Sequence, residues 1–157
     1  MKYLLVAVAV MGTTLPSIGF TKSATPASHQ VDTVKQEAYE ADFEKFQEII
    51  MFVDMDAISE VPIDGRDVED KALQGAIDTM TTVLQATQKT NFTTAEGQQV
   101  KRDFIAFNEF SIKTFKNYNK WKDSERLEKE YSEQMMKHHE NILKSLQKLS
   151  ELAGNEY

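Results

Sequence analysis

Cysteine is absent from all 157 residues. The chain therefore forms no disulfide, carries no lipoprotein-type acylation, offers no thiolate nucleophile and builds no Cys-type zinc site. A domain of this kind must hold together by burial alone. Strand and hairpin signals are also few: from Val31 onward the pattern is helical, punctuated by Pro62, Gly65, Gly97 and Gly154. Dense cationic clusters are missing. Eighteen Lys and Arg stand against 25 Asp and Glu, a net charge of -7, and Lys113, Lys116, Lys120 and Lys122 alternate with aromatics as a solvated helix face does. Such a chain is poorly suited to nucleic-acid phosphates or anionic lipid surfaces, so no nucleic acid is expected as a partner. The sequence contains no His-Glu-x-x-His, no Gly-rich phosphate loop and no Gly-x-Ser-x-Gly elbow. No catalytic residue is nominated, and a non-enzymatic role is expected.

What is present begins with Lys2, followed by an uncharged, largely apolar run from Tyr3 to Phe20 and a small-x-small exit at Ser17-Ile18-Gly19. This is the pattern of a secretory signal peptide over residues 1–19, with Thr25-Pro26-Ala27 offering a later cut after position 27. The rival reading is an uncleaved anchor. Gly12, Pro16 and Gly19 make the eighteen-residue run marginal for a span, so cleavage is preferred and no membrane span is expected in the mature chain. The expected location is the periplasm or the medium. Cleavage after Gly19 leaves 138 residues, enough for one domain with a core. Residues 20–30 are small and polar and read as a flexible leader containing His29.

Residues 31–153 read as an all-α antiparallel bundle of about four helices. The first is expected from Asp32 to Glu60, with a heptad seam of Tyr39, Phe43, Phe46, Ile50, Val53 and Ala57, ended by Pro62-Ile63-Asp64-Gly65. The second is expected from Asp67 to Lys89, capped by Asp64 or Asp67. Thr93-Thr94-Ala95-Glu96 matches a capping box opening the third, which extends to Trp121. Asp123 or Ser124 caps the fourth, which runs to Leu152 before Gly154. The polar 122–130 stretch is taken as a turn between the last two helices, the alternative being one continuous helix.

Two sets of residues are candidates for function. On the fourth helix, His138 falls inside the apolar arc of Leu127, Tyr131, Met135, Ile142, Leu146, Leu149 and Leu152, with His139 just past its edge. A core imidazole needs a partner, either a carboxylate or Tyr131 or Tyr39. Alternatively Met135, His138 and His139, with Met51 from the second half of the first helix, form a thioether-imidazole set able to hold copper or haem iron. The di-iron pattern is excluded, because Met135 and Met136 occupy the positions three before the histidines. The second set is apolar. Ile49-Ile50-Met51-Phe52-Val53 runs right round its helix, and the third helix carries Phe104, Phe107, Phe110, Phe115, Tyr118 and Trp121. Two-sided apolarity means either central burial or a second contact, and Met51, Phe52, Met55 and Ile58 are the residues expected on a docking face, toward a homodimer or a periplasmic protein partner. Asp42 projects into the apolar arc of the first helix. Pairing with a lysine, a place at the wet bundle end, and a site shared with His138 are the three options.

The stretch Glu128, Tyr131, Met135, Met136, His138, His139, Ile142, Leu143 resembles the Met-x-x-His-His signature of a secreted bacterial ferritin-like family of unknown function, sometimes linked with copper stress. The likeness covers about sixteen residues and implies Met135, His138 and His139 as ligands. Lys137 replaces the usual proline, and the motif lies late in this chain where the family has it early. Phe92-Thr93-Thr94-Ala95-Glu96 is similar to the Leu-Thr-x-x-Gln repeat of periplasmic helical stress chaperones, in a single copy with Glu in place of Gln. A capping box accounts for it equally well. From residues and resemblance together, the expected function is that of an exported, non-catalytic, stress-linked binding or interaction protein, with a copper- or haem-binding bundle as the alternative.

Overall fold

The computed structural model describes residues 30–59, 61 and 69–155. The expected signal peptide, the bulk of the expected leader with His29, and the expected Pro62–Gly65 stop with the Asp64 and Asp67 caps lie outside the described residues. Among those described there are six helices and no strand: α1 (Gln30–Ile50), α2 (Met55–Ser59), α3 (Asp70–Lys89), α4 (Ala95–Lys116), α5 (Tyr118–Trp121) and α6 (Glu125–Leu152). None is long and apolar enough to cross a membrane. The chain is an all-α helical bundle.

Four long helices build it. α4 packs along both α3 and α6, and α1 closes the remaining side against α6 and α3. Glu96 pairs with Lys148 at 3.1 Å and Ser111 reaches Met135 at 3.7 Å, so α4 and α6 are antiparallel. Asp42 bonds Thr94 and Phe46 meets Phe104 edge-on at 5.1 Å, so α1 runs parallel to α4. The resulting up-down-up-down order buries one stripe from each helix. Its core includes Phe43, Phe46, Val83, Val100, Phe104, Phe107, Trp121, Ile142 and Leu149.

The first helix is shorter than its apolar periodicity predicts. After Ile50 the amides of Phe52 and Val53 turn back to the carbonyls of Ile49 and Ile50. Asp54 Oδ1 then accepts the Ala57 amide at 3.1 Å, the N-cap geometry that opens α2. An unbroken helix would keep Ile49 and Met51 on widely separated faces of one rod. The break lets Ile58 and Val61 turn into the core while Met51 and Phe52 stay outside. The third helix also ends early, at Lys116. There Asn117 Nδ2 donates to Lys113 O at 2.8 Å and the Trp121 indole donates to Thr114 O at 2.9 Å, satisfying last-turn carbonyls. The expected break between the last two helices is present but confined to residues 122–124, and the remainder of the polar 122–130 stretch is the start of α6, whose first turn is capped by Ser124 accepting the Leu127 amide.

At the other end of the bundle one carboxylate organises the α3–α4 connection. The Asp42 side chain is fully buried. Its two oxygens accept the Thr93 amide (3.0 and 2.9 Å), the Thr94 amide (2.7 Å), both threonine hydroxyls (3.2 and 2.8 Å) and the Lys45 ammonium (2.9 Å). Lys45 also donates to Asn91 O at 3.0 Å. Of the three options for Asp42, the lysine pairing is the one found, extended to a cap on α4, where a negative charge also suits the helix dipole. The capping box is displaced by one residue. Thr94, not Thr93, is the N-cap, and it accepts the Gly97 amide at 2.9 Å. Glu96 turns instead to Lys148.

Gly97 is needed here for space, since a Cβ at this position would overlap the Asp42 carboxylate. Gly75, inside α3, faces Ala57 Cβ at an ordinary 3.9 Å. The two glycines therefore respond oppositely to alanine. Gly75→Ala stabilises by about 0.5–1 kcal/mol through helix propensity, whereas Gly97→Ala destabilises by about 2 kcal/mol through overpacking. Asp42→Asn costs about 3 kcal/mol, because buried donors lose a charged acceptor. Chemical denaturation of the three variants checks the signs and the order.

Candidate functional site

The residues nominated for metal binding are dispersed by the fold. α6 turns Met135 into the core at 1% exposure, where its sulfur faces the Ser111 hydroxyl. Met51 stands at the far end of α1 with 85% of its surface in solvent. Helical spacing puts it on a face turned away from Phe43 and Phe46, so Met51 is not part of a cluster with Met135. Among the described residues no group of three or more His, Asp or Glu side chains is arranged to hold a metal ion.

The two histidines differ from expectation as well. His138 is half-buried at the edge of α6, its ring against Phe110 with centroids 5.1 Å apart and planes at 33°. Tyr131 does not serve it, since that ring packs between Phe110 (5.9 Å) and Trp121 (5.8 Å). The more enclosed polar atom belongs to His139, whose Nε2 is buried with no hydrogen-bond partner. Asn108 Oδ1, on α4, is the other buried side-chain atom in that condition among the described residues. A hundred-degree rotation per residue puts the two imidazoles on different flanks of α6.

Burial pushes the His138 pKa below its ordinary 6.5, the Lys137 ammonium adds to this, and Asp103 partly opposes it. Burial likewise lowers His139, against a weaker pull from Glu140. For Asp42, burial alone would raise the pKa. The amides of Thr94 and Thr93, then Lys45 and the Thr94 hydroxyl, outweigh it and hold the carboxyl below 3.8.

Between α4 and α6 runs an open trough of about 420 Å³ lined by Gln99, Asp103, Asn141, Lys144, Ser145 and Lys148. Gln99 donates to both Asp103 oxygens at 3.0 and 3.1 Å, and Lys148 pairs with Glu96, so part of its polar lining is already satisfied within the fold. Sequence reasoning passed over these residues. Polar pairs four apart on the flanks of two neighbouring apolar stripes, such as Gln99 with Asp103, were the available signal.

The docking set divides too. Met51 and Phe52 are exposed, at 85% and 57%, side by side where α1 ends. Ile58 is fully buried, because α2 presses it against the core, and it is not part of any surface. The Met55 side chain lies outside the described residues. Met136 and Leu143, seven apart on α6, are further half-exposed apolar residues. Compared with known proteins, the chain matches no family model, no curated sequence and no solved structure.

The shifted groups give a defined pH response. For both histidines the folded state holds the proton less well than the unfolded chain. Their contribution is therefore complete above pH 6.5 and is lost as the pH falls below it. The Asp42 contribution is complete above 3.8 and is lost on further acidification. Melting temperature should be flat above neutrality and fall in two steps. The pair of substitutions His138→Gln and His139→Gln removes the upper step and leaves the lower one, as followed by circular dichroism. An unchanged upper step would show that neither imidazole is desolvated.

Proposed function

We propose that this chain is an exported, non-catalytic helical binding or interaction protein, working in the periplasm or outside the cell through the apolar step formed by Met51 and Phe52. The observation that carries the docking part is the exposure of these two large apolar side chains at the α1–α2 break. Single exposed apolar residues are ordinary, but two adjacent ones projecting from a helix end offer a partner anchor points at little conformational cost. Thioether and phenyl groups suit such a role, Met because it adapts its shape and Phe because it buries a large area with few rotatable bonds. The export part rests on the Lys2, Tyr3–Phe20 and Ser17-Ile18-Gly19 pattern.

Copper or haem binding is the second reading, and one observation favours it: the buried, unpartnered Nε2 of His139. Met135 and His138 would have to turn toward it. A rise in melting temperature or a new absorption band on adding Cu(I) or haem, lost in His139→Ala, supports that reading. A colourless protein of unchanged melting temperature removes it.

Native mass spectrometry of the protein recovered from its own host tests the first reading. The expected species is a chain shortened at its N-terminus, bound to a partner that Phe52→Glu releases without changing the melting temperature. A full-length, strictly monomeric species in both variants would overturn it.

A further inference from the structure

We propose that the outward face of α1, ending in Met51 and Phe52, receives a cationic amphipathic helix of a partner protein. The inference rests on the docking reading above and names the chemistry of what docks.

Charge is unevenly distributed along this chain. Between Glu37 and Asp56 there are seven acidic residues and one cation, Lys45, so twenty residues hold six of the seven net negative charges. Lys45 itself is engaged by Asp42 and Asn91. At 100° per residue, Glu37, Glu40, Glu44, Glu48 and Met51 fall within an arc of about 80°, a single ridge along α1. Glu37, Glu44, Glu48 and Met51 are exposed and Glu40 is half-exposed, so the ridge faces solvent. Among the described residues, Glu37, Glu44 and Glu48 make no hydrogen bond or ion pair, and Glu40 receives only the Gln36 amide at 3.2 Å.

The ridge works against the helix that carries it. Like charges four apart, Glu40 with Glu44 and Glu44 with Glu48, repel. Glu48 also stands in the last turn, at the negative end of the helix dipole, and no basic residue offsets it there. Packing needs none of these side chains. Local rules broken without a return inside the fold point to a contact outside it.

Charge complementarity selects the occupant. A second copy docking by two-fold symmetry would bring ridge against ridge, so repulsion opposes a homodimer through this face. Anionic lipid is opposed for the same reason. A helix bearing Lys or Arg at positions three and four apart would match the acids over the stretch from Glu37 to Met51, about 21 Å at 1.5 Å per residue. Its own apolar stripe would meet Met51 and Phe52, the mode in which an amphipathic helix lies on an apolar anchor.

The test uses the mature protein and peptides of about 18 residues, long enough for several helical turns. One is an amphipathic Lys/Leu helix, the second its Glu/Leu counterpart, and the third a Lys/Ser peptide of equal charge. Fluorescence anisotropy at about 50 mM and about 300 mM salt should show Lys/Leu binding that weakens roughly tenfold at the higher salt. Lys/Ser should bind more weakly and Glu/Leu not at all. The double substitution Glu44→Gln with Glu48→Gln should weaken Lys/Leu binding about tenfold. Glu109→Gln with Glu125→Gln, the same charge change elsewhere, should leave it intact. Neither double should lose the folded bundle, and the Glu44, Glu48 double should melt slightly higher because the repulsion is gone. Equal loss from the two doubles would reduce the effect to net charge and overturn the proposal. Binding of both Leu peptides, abolished by Phe52→Glu regardless of peptide sign, would leave the docking reading standing and remove the cationic partner. Binding of neither peptide overturns the proposal, while the Phe52→Glu comparison in the host still decides the docking reading separately.

Discussion

The Asp42 carboxylate is the interaction on which the rest of the bundle depends. It is a fully buried charge on the core side of α1, and it is tolerable there because five hydrogen-bond donors converge on it. Those donors belong to its own helix and to the start of α4. One group thereby sets the depth of α1 relative to α4 and orders the short connection that turns α3 back into α4. The same carboxylate requires glycine at position 97 and moves the helix cap from Thr93 to Thr94. Nearby, the Glu96–Lys148 pair holds the C-terminal part of α6 beside the start of α4.

That arrangement leaves the two ends of the bundle different in character. The end holding Asp42 is closed by charge-assisted hydrogen bonds. At the opposite end α1 stops, the chain turns through an Asp54 cap, and the apolar girdle around residue 50 is divided between core and solvent. Ile49 and Ile58 go inward while Met51 and Phe52 remain outside. Both proposals about function rest at this second end. An anchor is available where the helix terminates, and the acidic ridge leading to it contributes nothing to packing.

Much of the architecture was legible in the residues. Phe43, Phe46, Phe104, Phe107, Ile142 and Leu149 recur at helical spacing, and all are buried. Helix type and order follow from that periodicity, because an amphipathic stripe has one economical way to leave water. Less was legible of the sites. Periodicity is a property of a straight helix, so it carried the first helix through Ile50 to Glu60 and placed Ile58 beside Met51. The Asp54 cap that separates them is a local hydrogen bond, which periodicity does not register. His138 sits in the apolar arc on a helical wheel, yet the more enclosed nitrogen belongs to His139, because the packing of neighbouring helices, which a wheel does not carry, decides which flank is covered.

The sequence by itself determined an all-helical chain with four apolar stripes, a cysteine-free core and a turn before α6, since each depends on contacts between residues near one another in the chain. Only the tertiary structure decided what Asp42 binds, why position 97 must be glycine, and that Met51 and Met135 lie apart. Those outcomes join residues about fifty or more positions distant. No local preference specifies such pairings, because they arise only after whole helices have settled into register.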